Sequence, residues 1–318
     1  MKSSACIFLL LLSLNAFVQA QPAPSPSPGA ARVSERKSPA ARQSVEEIGE
    51  GEVVRISANL VSVPVSVIDR QGKYVVDLRQ KDFRIYEDGA EQLITHFSNI
   101  DQRFSVVLLM DTSGSTAAFL EQMKRAAKSF VQQLRALDTV QPVYFHGEIK
   151  PLTTKGTNDP KLLGAALDQM SPGPFDLGTR LYDAVDFTLN ILRPVSGRKA
   201  VILFTDGENT WGKATMKSTL HEAEESDVIF YTLQYGDEPP QKYLQQLAEK
   251  TGGRYFMAAD GNTIRSSFAE VAEELRRQYV LGYRTNELAP KGQERKIRVK
   301  VKRERVAVRA RRSYTYNP

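Results

Sequence analysis

Cysteine is almost missing from this chain. The single one, Cys6, sits in an apolar stretch at the start, so the remainder can form no disulfide and must be held by its core. Histidine is scarce too. His96, His146 and His221 stand far apart, and His221-Glu222 lacks the second histidine of a zinc-protease helix. No Gly-x-Ser-x-Gly elbow occurs, and no complete phosphate loop, whose Gly-x-x-x-x-Gly-Lys must be followed by Ser or Thr. These absences argue against a disulfide scaffold, a zinc protease, an α/β-hydrolase and a P-loop enzyme. Beyond the first residues no run is apolar enough to cross a membrane.

The start reads as a processing segment. Lys2 supplies a positive region, Ala5 to Leu14 an apolar one, and Val18-Gln19-Ala20 a small-residue cleavage site. Residues 1–20 are therefore expected to be a signal peptide, with retention as an N-terminal anchor the alternative. Cleavage would leave a periplasmic or extracellular protein without a transmembrane segment. Residues 21–50, where Pro22, Pro24, Pro26 and Pro28 alternate with small residues, read as an extended linker.

Charge is unevenly placed. From Lys291 to Arg312 eleven Lys or Arg stand against Glu294 and Glu304, a local +9, so the formal +6 of the chain leaves about −3 elsewhere. Alternation with Ile297, Val299, Val301, Val306 and Val308 predicts an antiparallel hairpin with one basic, solvated face. Cations there discourage strand-to-strand aggregation, and the lack of interleaved aromatics argues against nucleic acid as a partner.

Periodicity divides the rest. Residues 51–101 alternate with period two: Val61, Val63, Val65 and Val67, a turn at Asp69-Arg70-Gln71-Gly72, a partner strand from Lys73 to Val76, then Phe83 and Ile85, a Glu87-Asp88-Gly89 turn, and Leu93, Thr95 and Phe97. Residues 102–278 alternate apolar strands with helices, which predicts an α/β fold with a doubly wound, mainly parallel sheet. Residues 279–318 return to strands. Neither β flank carries enough strands to stand alone, so both are expected to combine into one accessory β-sandwich.

Three loops carry the chemistry. Asp111-Thr112-Ser113-Gly114-Ser115 follows the apolar strand ending at Met110. Gly178-Thr179-Arg180 precedes a helix from Leu181. Thr205-Asp206-Gly207 follows the apolar strand Ala200 to Phe204. In a doubly wound sheet these converge at the carboxyl edge. Hydroxyl and carboxylate oxygens suit a hard cation, Mg²⁺ (or Mn²⁺ or Ca²⁺). Only two carboxylates then offset it, which leaves room for a third from a partner. Ser113 or Ser115 as a helix cap and Asp206-Gly207 as a plain turn are the structural alternatives. Arg180, Asn209 and Trp211 are candidates for the ligand-binding rim.

This order of motifs resembles the metal-ion-dependent adhesion site of von Willebrand factor type A domains. The likeness spans about Phe104 to Arg277, with all five ligand positions filled: Asp111, Ser113, Ser115, Thr179 and Asp206. The flanks resemble a bacterial exported family of related proteins, through Asp82-Phe83, Glu87-Asp88-Gly89 and Gln92. At the tail, Arg311-Arg312-Ser313-Tyr314 has Ser313 where that family usually has glycine. The resemblance implies a non-enzymatic adhesion module that captures a protein carboxylate through its metal. A scaffold subunit with a merely stabilising metal, and a metal-dependent hydrolase, are the competing readings.

Overall fold

The computed structural model describes residues 60–98, 103–174, 177–236, 238–285 and 290–316. The expected signal peptide and linker lie outside these residues. The first strands are β1 (Leu60–Asp69), β2 (Phe83–Glu87), β3 (Ala90–Gln92) and β4 (Ile94–Ser98). An alternating series follows: β5 (Phe104–Asp111), α1 (Leu120–Val131), β6 (Thr139–Phe145), β7 (Ile149–Pro151), α2 (Pro160–Asp168), α3 (Leu181–Leu192), β8 (Arg198–Thr205), α4 (Met216–Glu225), β9 (Val228–Tyr235), α5 (Lys242–Thr251), β10 (Tyr255–Ala258) and α6 (Gly261–Arg277). The chain closes with β11 (Tyr279–Arg284), β12 (Glu294–Val301), β13 (Val306–Ala310) and β14 (Ser313–Thr315).

The continuous apolar runs form the central sheet, in the order β10-β9-β8-β5-β6-β7. All its pairings are parallel except that of β7 with β6. β8 and β9 are buried along their whole length because helices cover both faces. Helices α1, α2 and α6 pack on one face through Met123, Phe130, Leu163 and Phe268. Helices α3, α4 and α5 pack on the other through Leu181, Val185, Leu220 and Leu247. Gly252 ends α5 in the left-handed conformation, φ 83°, as the Gly252-Gly253 pair implies. At Gly253 an added Cβ would lie 2.0 Å from the Phe230 carbonyl oxygen. Gly253→Ala is accordingly expected to cost about 3 kcal/mol in urea unfolding, because backbone cannot step aside as a side chain can.

The alternating segments form two antiparallel sheets, β13-β1-β11-β4 and β14-β12-β2-β3. Their inward residues, among them Val63, Val65, Ile85, Tyr279, Leu281 and Ile297, make one core. Both flanks of the α/β series therefore contribute to one sandwich. Buried Glu274 of α6 ties this layer to the helices, accepting from Ser66 Oγ at 2.9 Å and Arg309 Nη1 at 2.7 Å.

Three expectations change in detail. The basic hairpin does not form: β12 pairs with β2 and β14, while β13 pairs with β1. Alternation fixes which face of each strand is apolar but not its neighbour. A β12–β13 pairing would leave β1 or β2 with a bare edge, and splitting the two strands between sheets covers both. The link between them is fastened by Lys302 N–H to the Asp82 carbonyl, at 2.7 Å, and by Arg303 on Asp77, at 2.5 Å. Lys73 to Val76 makes only an isolated bridge, Ile68 with Tyr74. Two backbone bonds to β1, Val75 N–H to the Val67 carbonyl and Asp69 N–H to the Lys73 carbonyl, hold the segment together with the Tyr279 hydroxyl, which donates to the Val75 carbonyl and accepts from Leu78 N–H. Leu93 is 80% exposed, and Ile94 takes the inward place, with a register shift opposite it between Gly282 and Tyr283.

Candidate metal centre

Strand order creates the crevice. From β5 the chain moves to β6 on one side, yet β8 lies against β5 on the other. Connections thus leave β5 and β8 in opposite directions, the switch point at which open α/β sheets bind ligands. Parallel pairing of Met110 with Phe204 sets Asp111 beside Thr205, and Asp206 follows.

Four of the five expected residues are joined by hydrogen bonds. Asp111 accepts from Ser113 N–H at 2.9 Å and from the Thr205 hydroxyl at 2.6 Å. The Ser113 and Ser115 hydroxyls are 3.2 Å apart, and Ser115 donates to Asp206 Oδ2 at 2.5 Å. Asp206 also accepts from Glu208 N–H at 3.0 Å and from the Tyr235 hydroxyl at 3.2 Å. Asp111 is fully buried while Ser115 is exposed, so the cluster opens to solvent on the serine side. Ser113 precedes the short 3₁₀ turn Gly114–Phe119, but its side chain makes no cap bond, so the capping alternative fails for it.

Thr179 is buried at the start of α3 but makes no direct hydrogen bond to the other four among the described residues. Its backbone is stapled to the loop after β8: Thr179 N–H donates to Thr210 Oγ1 at 2.7 Å, and Thr210 N–H to the Thr179 carbonyl at 3.0 Å. Close approach requires Gly178, φ 65°, where a Cβ would meet Thr210 Oγ1 at 2.4 Å. The second and third loops therefore hold one another.

The rim candidates fare differently. Asn209 Oδ1 accepts Tyr182 N–H at 3.1 Å, so that side chain serves the first turn of α3. The Arg180 guanidinium is answered by Asp183 at 2.5 Å and lies 4.9 Å from the Trp211 ring centroid. Trp211 is half exposed, with its indole N–H on the Leu177 carbonyl. His146 is a satisfied structural residue: its ring packs against Gly173 and accepts Glu148 N–H, and burial keeps its pKa low. The segment Gly207 to Lys213 does have the spacing of a phosphate loop, but Ala214 replaces the hydroxyl residue. Its amides serve the fold instead: Lys213 and Ala214 N–H both donate to the Asp183 carboxylate.

Thr205, Thr210 and Tyr235 belong to the site's framework without having been singled out from sequence. Tyr235 had a signal, since it ends an apolar strand at the same carboxyl edge. Burial above all, then the charges of Asp111 and Asp206, hold its hydroxyl well above the usual tyrosine range, so it remains a donor.

The electrostatics fit a cation. Burial first, and Asp206 second, push the Asp111 carboxyl up to about 7. Positive charge between the two carboxylates would reverse both effects. Among the described residues no three His, Cys, Asp or Glu side chains gather to hold a metal, so the cluster is an open set of hydroxyl and carboxylate oxygens, which suits a hard ion.

Comparison with known proteins agrees with the fold. A family model described as von Willebrand factor type A domain matches residues 105–270. A von Willebrand factor type A structure from Catenulispora acidiphila is similar at 12% identity, covering 82% of this chain and 75% of that one, TM-score 0.51. Proximal thread matrix protein 1 from mussel byssus, with a zinc-occupied MIDAS motif, is similar at 16% identity over 59% of this chain and 49% of its own, TM-score 0.50. Conserved hypothetical protein BatB from Bacteroides thetaiotaomicron is 22% identical over 54% of this chain and 97% of its own, TM-score 0.46. No curated protein sequence matches.

Proposed function

The chain belongs to the von Willebrand factor type A domain family, and from that premise we propose that it is a non-enzymatic binding protein using a metal-ion-dependent adhesion site. Asp111, Ser113, Ser115, Thr179 and Asp206 would hold the cation, with Mg²⁺ the best match to their oxygens and Mn²⁺ or Ca²⁺ the alternatives. The observation that carries this reading is the Asp111–Ser113–Ser115–Asp206 knot at the switch point, closed by the Ser115–Asp206 bond of 2.5 Å. When bound, the cation supplies a Lewis-acidic contact for a carboxylate of the protein ligand. Two carboxylates neutralise a divalent ion only formally, and their charge is already shared with five hydroxyl and amide donors. The open side at Ser115 is where a third carboxylate would enter. Trp211, half exposed beside Arg180 on the loop stapled to Thr179, is the rim residue best suited to a partner.

Family members are in general binding or scaffold modules. With Asp111 and Asp206 taken as ligands of the cation, the cluster has no further carboxylate or imidazole to serve as a general base, which favours binding over hydrolysis. We further propose that the protein is exported, on the signal pattern of residues 1–20, and acts in the periplasm or outside the cell. No helix among the described residues is long and apolar enough to cross a membrane. Residues 21–50 would act as a tether, 102–278 as the binding domain, and 51–101 with 279–318 as its sandwich base.

Titration calorimetry with Mg²⁺ tests the site. Wild type is expected to bind, and Asp111→Ala to bind more than about tenfold more weakly, a loss at least as large as those from removing groups behind a ligand. Equal affinity would remove the assignment. Retention of an acidic protein ligand by the wild type in Mg²⁺, but not in chelator and not by the variant, tests the capture step.

A further inference from the structure

A cavity of about 560 Å³ lies at the seam between the sandwich and the central layer. The start of β1 and the chain around β14 form one side, and α3, β8 and the turn from α4 to β9 form the other. Leu60, Val61, Leu189 and Val228 give it an apolar lining. Lys199 and Val228 stand at the starts of β8 and β9. The cavity is thus at the amino edge of the central sheet, whereas the metal centre is at the carboxyl edge.

Two hydrogen-bond donors in this lining lack an acceptor. Arg311 is 8% exposed. Its Nη1 reaches the Ser226 carbonyl, at the C-cap of α4, over a long 3.3 Å, and its Cζ lies 5.4 Å from the Tyr314 ring centroid. Its Nε is buried without a partner, and the guanidinium forms no ion pair among the described residues. The acids whose charge it feels, Asp227 and Glu224, are already committed. Asp227 holds the Lys199 ammonium at 2.6 Å, and Glu224 accepts from Lys250 on one oxygen and from Ser313 on the other, at 2.7 and 2.8 Å. Burial outweighs these acids and draws the pKa of Arg311 below its ordinary value. Tyr316 is 2% exposed, and its hydroxyl too is buried without a partner. A helix C-terminus and an aromatic face account for part of Arg311. They do not account for its uncompensated charge, which an apolar side chain of similar volume could replace at little or no loss of stability.

We propose that this cavity binds a small monocarboxylate with an apolar body. Its carboxylate accepts from the Arg311 guanidinium and the Tyr316 hydroxyl, and its body lies against Leu60, Val61, Leu189 and Val228. The volume is that of a small-molecule site. A guanidinium presents its donors as a planar fork that matches a carboxylate. Glu222, Glu225 and Asp227 line the cavity against Arg193, Lys199 and Arg311. The acids offset the cations, so one negative charge is accommodated where the greater charge of a phosphate is repelled.

Thermal melting of the full chain in chelator tests this, with isocaproate and phenylbutyrate as probes at neutral pH. Their amides and inorganic phosphate serve as comparisons. An acid that fits should raise Tm with its concentration, while its amide and phosphate should not, and titration calorimetry then gives its Kd. Tyr316→Phe should melt as the wild type, because its hydroxyl satisfies nothing in the fold, and should bind the acid at least about tenfold more weakly. Arg311→Met should melt no lower than the wild type without ligand and should lose the response to the acid. Asp111→Ala should respond as the wild type does, since the metal centre takes no part. The proposal is overturned if neither acid shifts Tm at millimolar concentration, or if amide or phosphate shifts it equally. It is overturned as well if both variants bind normally, or if Arg311→Met melts several degrees lower or fails to fold, which would make Arg311 a structural cap of α4.

Discussion

In chelator, protein carrying Asp111→Asn is expected to keep stability that the wild type loses between about pH 4 and pH 7. The sign follows from the direction of the shift. Burial and the neighbouring Asp206 raise the folded-state carboxyl of Asp111 to about 7, against about 3.9 in an unfolded chain. The folded state then holds a proton that the unfolded state has released, so stability falls as pH rises through this window and levels off above it. At about 1.4 kcal/mol per unit, the three units amount to about 4 kcal/mol. Asparagine keeps the acceptor for Ser113 N–H and can donate to the Thr205 hydroxyl in place of accepting from it. Urea unfolding at several pH values should therefore show the gap between the two proteins widening by that amount toward neutral pH. Parallel curves would mean that Asp111 does not titrate under this strain. Saturating Mg²⁺ above pH 7 should restore the wild type, by about 2.7 kcal/mol at a hundredfold excess over its Kd, and move the variant by about half of that or less.

Glu87→Ala is the second large effect, and it lies far from the crevice. Glu87 is buried between the two sheets of the sandwich. It accepts from the Tyr283, Tyr314 and Thr285 hydroxyls at 2.7 to 2.8 Å and from Arg295 at 2.5 Å. Removing it takes the nearer carboxylate from a mostly buried guanidinium, which keeps only Asp88 at 2.9 Å, and takes an acceptor from three hydroxyls, of which Tyr314 and Thr285 keep each other. Breaking a buried ion pair from one side typically costs about 3–5 kcal/mol, which for a chain of this size is a fall in Tm of roughly 10 °C. Arg295→Met added to the variant should recover part of the loss, because a mostly buried charge left with Asp88 as its remaining carboxylate goes with it. Burial opposes ionisation of Glu87, but the four donors outweigh it and hold the carboxyl below its usual range. Its contribution is thus present above about pH 4.3 and lost as pH falls through the lowered value. In acid, the wild type and Glu87→Ala should converge.

Much of this architecture is legible in the chain. Val107 to Leu109 and Ala200 to Phe204 can only be strands covered on both faces, and their carboxyl ends had to bring Asp111 near Asp206. The five oxygen residues are likewise recognisable, because their loops follow apolar strands or precede a helix. What escapes is whatever depends on partners distant in sequence. Period two assigns a face to Val299 and Val306 but does not say that β12 joins β2 while β13 joins β1. Arg309 reads as a solvated cation until α6 brings Glu274 against it. Asn209 reads as a rim residue until its amide is seen on Tyr182 N–H. The loops were identifiable from sequence; the staple between Thr179 and Thr210 was not, since nothing local to either residue requires it.

The pairing of β4 with β11 has a kinetic consequence. Ser98 lies opposite Val280, so the whole α/β series leaves and re-enters the sandwich at neighbouring points. Pairing β1 with β11 by diffusion, Leu60 against Arg284, means closing a loop of more than two hundred residues, an intrinsically slow step. Once the α/β series has folded, its two ends are already held together, and the same pairing becomes a local zipping of strands. The expected order of events is that the central layer folds as a unit and acts as the clasp, and the sandwich assembles last. Refolding should show sandwich protection in hydrogen exchange appearing after that of β5 and β8. A destabilised central sheet would then slow the sandwich without touching one of its residues.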